Sequence, residues 1–273
     1  MSTSADGRPE RQGIQSVEIG ARVLLAMEQG TGPMTLSEIA QRSGLESSKL
    51  HRYLVSLCRS GLATRAPSGR YDFGPTMRRL GAAALRRTNE VAVTSEHMPI
   101  LRDQTGHSVN LSVWGDEGPI VVRWDYGAHA LPLTVRVGAT LPLLASSAGH
   151  VFLSLLPEPL TAQARQQARG ANGAAFSDAK VAAIQSAVRR TGVAVIKGSV
   201  IPGVASISAP ILTSGDSLPL VLSVVLPDNE LTPAEQARVT ELLLQTAEAV
   251  SHELGAPTLP ARRAPTTRPA EHL

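Results

Sequence analysis

The chain has 273 residues, 42% hydrophobic and 18% charged, with a formal net charge of +3. That is a globular composition long enough for two domains. Its one cysteine, Cys58, excludes an internal disulfide and a cysteine-rich metal site. No run reaches the roughly 20 apolar residues of a membrane span.

Charge is unevenly placed. Residues 1–90 carry 13 Lys and Arg against 8 Asp and Glu, a net +5, whereas residues 91–273 carry 13 against 15, a net −2. A basic first third next to an acidic remainder points to nucleic acid as the partner of the basic part. The opening residues 1–13, MSTSADGRPERQG, are polar and lack the apolar core of a signal peptide. They read as a disordered N-terminus, and a soluble, cytoplasmic protein is expected.

The first helix is expected from about Ser16 to Gln29, with Val17, Ala21, Leu24 and Leu25 at helical spacing, ended by Gly30, Gly32 and Pro33. TLSEIAQRSG follows. Thr35 and Glu38 have the S/T-x-x-E spacing in which each side chain satisfies the other residue's free backbone N–H. Gly44 makes the turn, and a third helix runs from about Ser47 to Ser60. Leu50, Leu54 and Leu57 line one side of it, while Ser47, Ser48, His51 and Arg52 form the other. Leu62–Arg65 and Arg70–Phe73, with APSG between them, read as a small hairpin.

Helix, capped helix, turn, helix and basic hairpin is the order of a winged helix-turn-helix, expected over residues 14–75. Its second turn-linked helix presents its first turns to a major groove about 12 Å wide. Thr35, Ser47, Ser48, Lys49, His51, Arg52, Arg65 and Arg70 are the candidate DNA-binding residues. Arg52 is placed for bidentate contact to guanine O6 and N7, and the two wing arginines for the DNA backbone or minor groove. Cys58 falls on the apolar side as a small hydrophobe.

A helix over residues 76–89, with Leu80, Ala83 and Ala84 as a helix-pairing surface, leads to the second domain, residues 90–255. There SVNLSVWG and PIVVRWDY read as a hairpin, and VASISAPIL and LPLVLSVVLP as further strands. ASSAGHVFLSLLP, residues 178–190 and residues 232–253 read as helices. The fold class is therefore α+β, with a mostly antiparallel sheet flanked by helices. The Pro-, Arg- and Thr-rich stretch 256–273 reads as a disordered tail.

The sequence resembles the IclR family of bacterial transcriptional regulators. The resemblance rests on TLSEIAQRSGLESSKLHRYLVSL, GRYDFGPTMRRLG, LPLLASSAGHVFLSLLP, RRTGVAVIKGSVIPGVASISAPI and LSVVLPDNELTP, in the family's order. It implies a winged-helix DNA-binding domain, a GAF-like effector-binding domain, a homodimer or homotetramer, and operator DNA and a small molecule as partners. Glu46 stands where the family often has Pro, a change that a helix N-terminus accepts because a carboxylate suits its dipole.

Apolar strands with polar interruptions suit a ligand pocket. Ser146, Ser147, Lys197, Ser206, Ser208 and Ser223 are the candidate effector residues. The resemblance favours Ser206 and Ser223, which stand where relatives place ligand-contacting polar groups. Acids common in the family before the PGV turn are replaced here by Ile196 and Lys197. Few acids and one cation favour an apolar or aromatic acid as effector.

Nothing in the sequence builds an enzyme. G-x-S-x-G, H-E-x-x-H, a Walker loop and G-x-G-x-x-G are all absent, and Asp103 and His107 read as ordinary loop polars. No catalytic residue, metal ligand or cofactor is expected. The expected protein is a ligand-controlled DNA-binding regulator; the rival is a winged-helix module that contacts protein.

Overall fold

The computed structural model describes residues 13–128, 131, 135–172, 177–214 and 217–256. The expected disordered ends, 1–13 and 256–273, fall outside the described residues except for Gly13 and Ala256. The chain divides into two compact units, Met1–Arg87 and Thr88–Leu273.

The first unit opens with α1 (Gln15–Glu28), α2 (Leu36–Ser43) and α3 (Ser47–Arg59). α1 buries Ile19, Val23, Ala26 and Met27 and leaves Val17 and Leu25 66% and 63% exposed. The spacing identified the helix, but of its expected stripe only Leu24 packs against the core, while Val17, Ala21 and Leu25 are exposed. α1 is apolar on more than one side, and the inward side is decided by what α2 and α3 offer it. Thr35 caps α2 in a full capping box: its Oγ1 accepts from the Glu38 N–H at 3.3 Å, and its own N–H donates to Glu38 Oε2 at 2.6 Å. Gly44, at φ 66°, closes α2 in the left-handed conformation that glycine adopts without steric cost. Ile39, Leu50 and Leu54 are fully buried between the helices.

The wing pairs β1 (Ala63–Arg65) with β2 (Tyr71–Phe73), antiparallel. Met34 joins β2 through two backbone bonds with Tyr71, of 2.8 and 2.7 Å, which ties the start of α2 to the wing. α4 (Pro75–Arg87) follows. It stops short of Asn89 because that side chain caps the next helix, accepting from the Ala92 N–H at 3.0 Å.

The second unit holds α5 (Glu90–Thr105), β3 (Ser108–Gly115), β4 (Gly118–Asp125), α6 (Ser147–Leu155), α7 (Glu158–Asn172), α8 (Asp178–Thr191), β5 (Ala194–Lys197), β6 (Val204–Ile211), β7 (Leu220–Pro227) and α9 (Pro233–Glu253). Its antiparallel sheet has the order β4-β3-β7-β6-β5, consistent with the expected GAF-like arrangement. α5, α7 and β5 were not anticipated. α5 carries an internal Pro99, a residue that argues against a helix interior, and β5 has only four residues.

The sheet's two faces differ in chemistry. Toward α5 and α9 it presents Val109, Leu111, Ile207, Ala209, Leu222 and Val224, packed with Met98, Leu101, Val239 and Leu243 in one aliphatic core. The alternate residues form the face toward α6 and α8. They include Val221, in a second core with Val151, Phe152 and Val188, and also Ser108, Asn110, Ser112, Ser206, Ser208 and Ser223, brought onto one side by the strand register.

Candidate nucleic-acid interface and ligand pocket

α3 orients its two sides as its periodicity requires. Leu50, Leu54 and Leu57 are buried, and Ser47, Ser48, Lys49, His51 and Arg52 are all exposed. Glu46 occupies the N-cap position in extended conformation, and its side chain makes no capping bond. A helix start of this kind presents N–H groups and a positive dipole end outward, which suits a phosphate.

The other three candidates are engaged within the protein. The Thr35 hydroxyl belongs to the capping box, donating to Glu38 Oε2 at 2.9 Å while it accepts from the Glu38 N–H. Arg70 donates to the Pro33 carbonyl at 2.9 Å and to Glu38 Oε2 at 3.3 Å. The Glu38 carboxyl, held by Thr35 first and then by the charges of Arg70 and Arg42, lies below its ordinary pKa. Arg65 lies over the Tyr71 ring at 5.5 Å from its centroid, with its guanidinium at the wing surface. Arg65 thus keeps an exposed side chain, whereas Arg70 and Thr35 hold the start of α2 against the wing.

In the second unit, a cleft with about 500 Å³ of empty space, counting its open mouth, lies against the polar face of the sheet. Val135, Leu141, Ile196, Ile201, Val204 and Val225 supply apolar wall. Ser147, Ser206 and Ser223 line it, joined through buried Ser208 into one chain of hydroxyls: Ser206 to Ser147 at 2.7 Å, Ser147 to Ser208 at 2.6 Å, and Ser208 to Ser223 at 2.7 Å. Sequence places these four serines on α6, β6 and β7; the sheet register and the start of α6 bring them together.

Ser146 also lines the cleft, but its hydroxyl serves α6 as N-cap, accepting from the Gly149 N–H at 3.0 Å and donating to the Pro142 carbonyl at 2.7 Å. This leaves the N–H groups of Ser147 and Ala148, both in the cleft wall, without an intrahelical acceptor.

Lys197 is not brought to the cleft. Alternation along β5 turns Ile196 into the wall and Lys197 away from it, and the Lys197 ammonium donates to the Leu231 carbonyl at 3.1 Å. The cation inferred from its place in the sequence belongs to the other side of the strand. His107 departs from expectation too. It is 6% exposed and bonds Glu235 at 2.9 Å, while Asp103 pairs with its neighbour Arg102.

Two wall residues were missed. Asn110 on β3 and Trp124 on β4 lie directly opposite each other in the strand register. Asn110 Oδ1 and Trp124 Nε1 are buried and have no hydrogen-bond partner among the described residues. A buried polar atom left unpaired costs about 1–3 kcal/mol. The sequence signal was S-V-N-L-S, in which polar residues recur at every second position of a strand rich in apolar ones.

Comparison with known proteins agrees with this architecture. A family model for the C-terminal domain of the bacterial transcriptional regulator IclR matches residues 82–252, and one for the IclR helix-turn-helix domain matches residues 16–67. The transcriptional repressor IclR of Escherichia coli K12 is 28% identical over 148 residues, 53% of this chain and 54% of that protein, so the match spans about half of that relative's length. The glycerol operon regulatory protein of Streptomyces coelicolor is 28% identical over 260 residues, covering 89% of this chain and 97% of that protein. The crystal structure of HmgR from Pseudomonas aeruginosa superposes with a TM-score of 0.80 at 33% identity, covering 89% of this chain and 99% of that one. The family models together span both units, and the chain belongs to the IclR family of bacterial transcriptional regulators.

Proposed function

We propose that this protein is a sequence-specific DNA-binding transcriptional regulator, active as a homodimer or homotetramer in the cytoplasm and controlled by a small molecule, with no catalytic activity of its own. The observation that carries this reading is the outer face of α3. Ser47, Ser48, Lys49, His51 and Arg52 are all exposed on a helix whose other side is locked into the core. In the proposed complex Arg52 reads a base edge. Lys49, the serines and Arg65 grip phosphates, and the wing carries Arg65 beside the groove.

The cleft of the second unit is the proposed effector site. Its apolar wall suits a hydrocarbon or aromatic body. An acid group is favoured by the start of α6, where the Ser147 and Ala148 N–H groups and the positive end of the helix dipole meet the wall. With Lys197 turned away, these neutral donors take the part expected of a cation. Effector binding would act on DNA through α4, whose Leu80 is 52% exposed and suited to pairing with a second copy. Two sites coupled in this way alter each other's affinity by the same factor.

The test is a gel-shift with the DNA upstream of the protein's own coding region, using wild type and Arg52→Ala. A shift resisted by unrelated competitor and weakened in the variant supports the reading. Specific capture of a protein partner with no recoverable DNA site would favour the rival module.

A further inference from the structure

We infer that Asn110 and Trp124 are specificity-determining residues of the cleft, which read a hydroxyl group on the effector. The inference rests on the reading of the cleft as an effector site and defines the ligand class further: an acid whose apolar body also carries a hydroxyl.

Trp124 on β4, Asn110 on β3, Ser223 on β7 and Ser208 on β6 are successive cross-strand partners, one row across the sheet. Directly opposed side chains have Cβ atoms about 4.5–5.5 Å apart. Two members of the row, Ser208 and Ser223, satisfy each other at 2.7 Å. The other two do not: Trp124 Nε1 and Asn110 Oδ1 are buried without partners among the described residues, and Asn110 is only 4% exposed. An aliphatic pair would fill the same place without that cost, as Val109, Leu111, Leu222 and Val224 do on the opposite face of the sheet.

The unpaired atoms define their complement. The indole N–H only donates, and the amide oxygen only accepts. A hydroxyl satisfies both, accepting from Trp124 and donating to Asn110. A carboxylate accepts only, so beside Asn110 Oδ1 it meets a second acceptor. An acid group therefore fits the start of α6, and a hydroxyl fits the β3–β4 side. The chain Ser206–Ser147–Ser208–Ser223 has four protons for three internal bonds. One hydroxyl proton is therefore left over from the chain's own bonds.

Calorimetry on the full chain tests this with benzoate, 3- and 4-hydroxybenzoate and phenol, on wild type, Asn110→Leu and Trp124→Phe. The expected result is that one hydroxybenzoate binds wild type at least tenfold more tightly than benzoate, about 1.4 kcal/mol. In both variants that ratio falls toward one. Asn110→Leu should melt at or above wild type, because it removes a buried amide oxygen that has no partner among the described residues. Equal binding of benzoate and hydroxybenzoates, or a ratio unmoved by both variants, overturns the inference and leaves the acid effector standing. Phenol binding as well as hydroxybenzoate, with variant sensitivity, upholds the inference and overturns the acid. Binding by no compound, or an Asn110→Leu that melts below wild type with its hydroxyl preference intact, overturns the inference.

Discussion

At the residue scale, two arginines of similar sequence context have different roles. Arg52 is exposed on α3 with its side chain available, whereas Arg70 is held by Pro33 and Glu38. Arg52→Ala should cost specific DNA binding about 1–3 kcal/mol, the range for one good base contact, and leave the melting temperature unchanged. Arg70→Ala should instead lower the melting temperature slightly, by the small amount typical of an exposed ion pair. Anisotropy titration and calorimetry separate the two. The sequence made Arg52 legible, because helical spacing alone puts it opposite Leu50 and Leu54. It misplaced Lys197, whose direction depends on recognising a four-residue strand and its parity. It hid Asn110 and Trp124 for a related reason: they become a pair only when β3 and β4 are set in register.

At the scale of elements, helix starts dominate. Thr35→Ala removes the capping box of α2 and should destabilise the first unit by about 1 kcal/mol, measurable by denaturant unfolding. The second unit uses the same T-x-x-E spacing differently. Thr232 caps α9 by accepting from the Glu235 N–H at 3.2 Å, but the Glu235 carboxylate turns to Arg238 and His107, at 2.6 and 2.9 Å. Arg238 in turn donates to the carbonyls of Gln104 and Thr105, both at 3.0 Å, and so fastens the end of α5 to α9. The Arg238 bond, with His107 adding to it, lowers the Glu235 pKa to about 2. A carboxylate whose folded pKa lies below its unfolded value stabilises above the unfolded value, near 4.5, and loses that contribution as pH falls toward 2. Unfolding followed from pH 5 to pH 2 should therefore show a loss on the order of 2 kcal/mol that Glu235→Gln lacks. These 128-residue-distant partners were invisible in the sequence, where His107 has only Asp103 close by.

α6 adds a tighter constraint. A Cβ on Gly149 would stand 2.1 Å from the Leu143 carbonyl oxygen, a backbone atom that cannot yield without moving the start of the helix. Gly149→Ala should destabilise the second unit by about 1–3 kcal/mol or more and weaken ligand binding together with it, since Ser147 and Ala148 lie in the same turn.

At the scale of the whole molecule, the division into Met1–Arg87 and Thr88–Leu273 matches the change in charge along the chain. The order of the elements in the first unit, the capping box and four of the five strands of the second sheet were legible because they depend on local spacing. The inward face of α1, the hydroxyl chain and the pairing of Asn110 with Trp124 were not, because they depend on which distant surfaces meet. Phosphate contacts release counterions, so DNA affinity should fall steeply with salt, the slope on logarithmic axes growing by about 0.9 for each phosphate neutralised. The measurement that bears most directly on the account is anisotropy titration of DNA from upstream of the protein's own coding region, and of fragments selected from total genomic DNA, against unrelated duplex at two salt concentrations. The account predicts at least one fragment bound specifically, more weakly at the higher salt and weakly by Arg52→Ala. Equal affinity for every duplex, or no fragment enriched by selection, would contradict it.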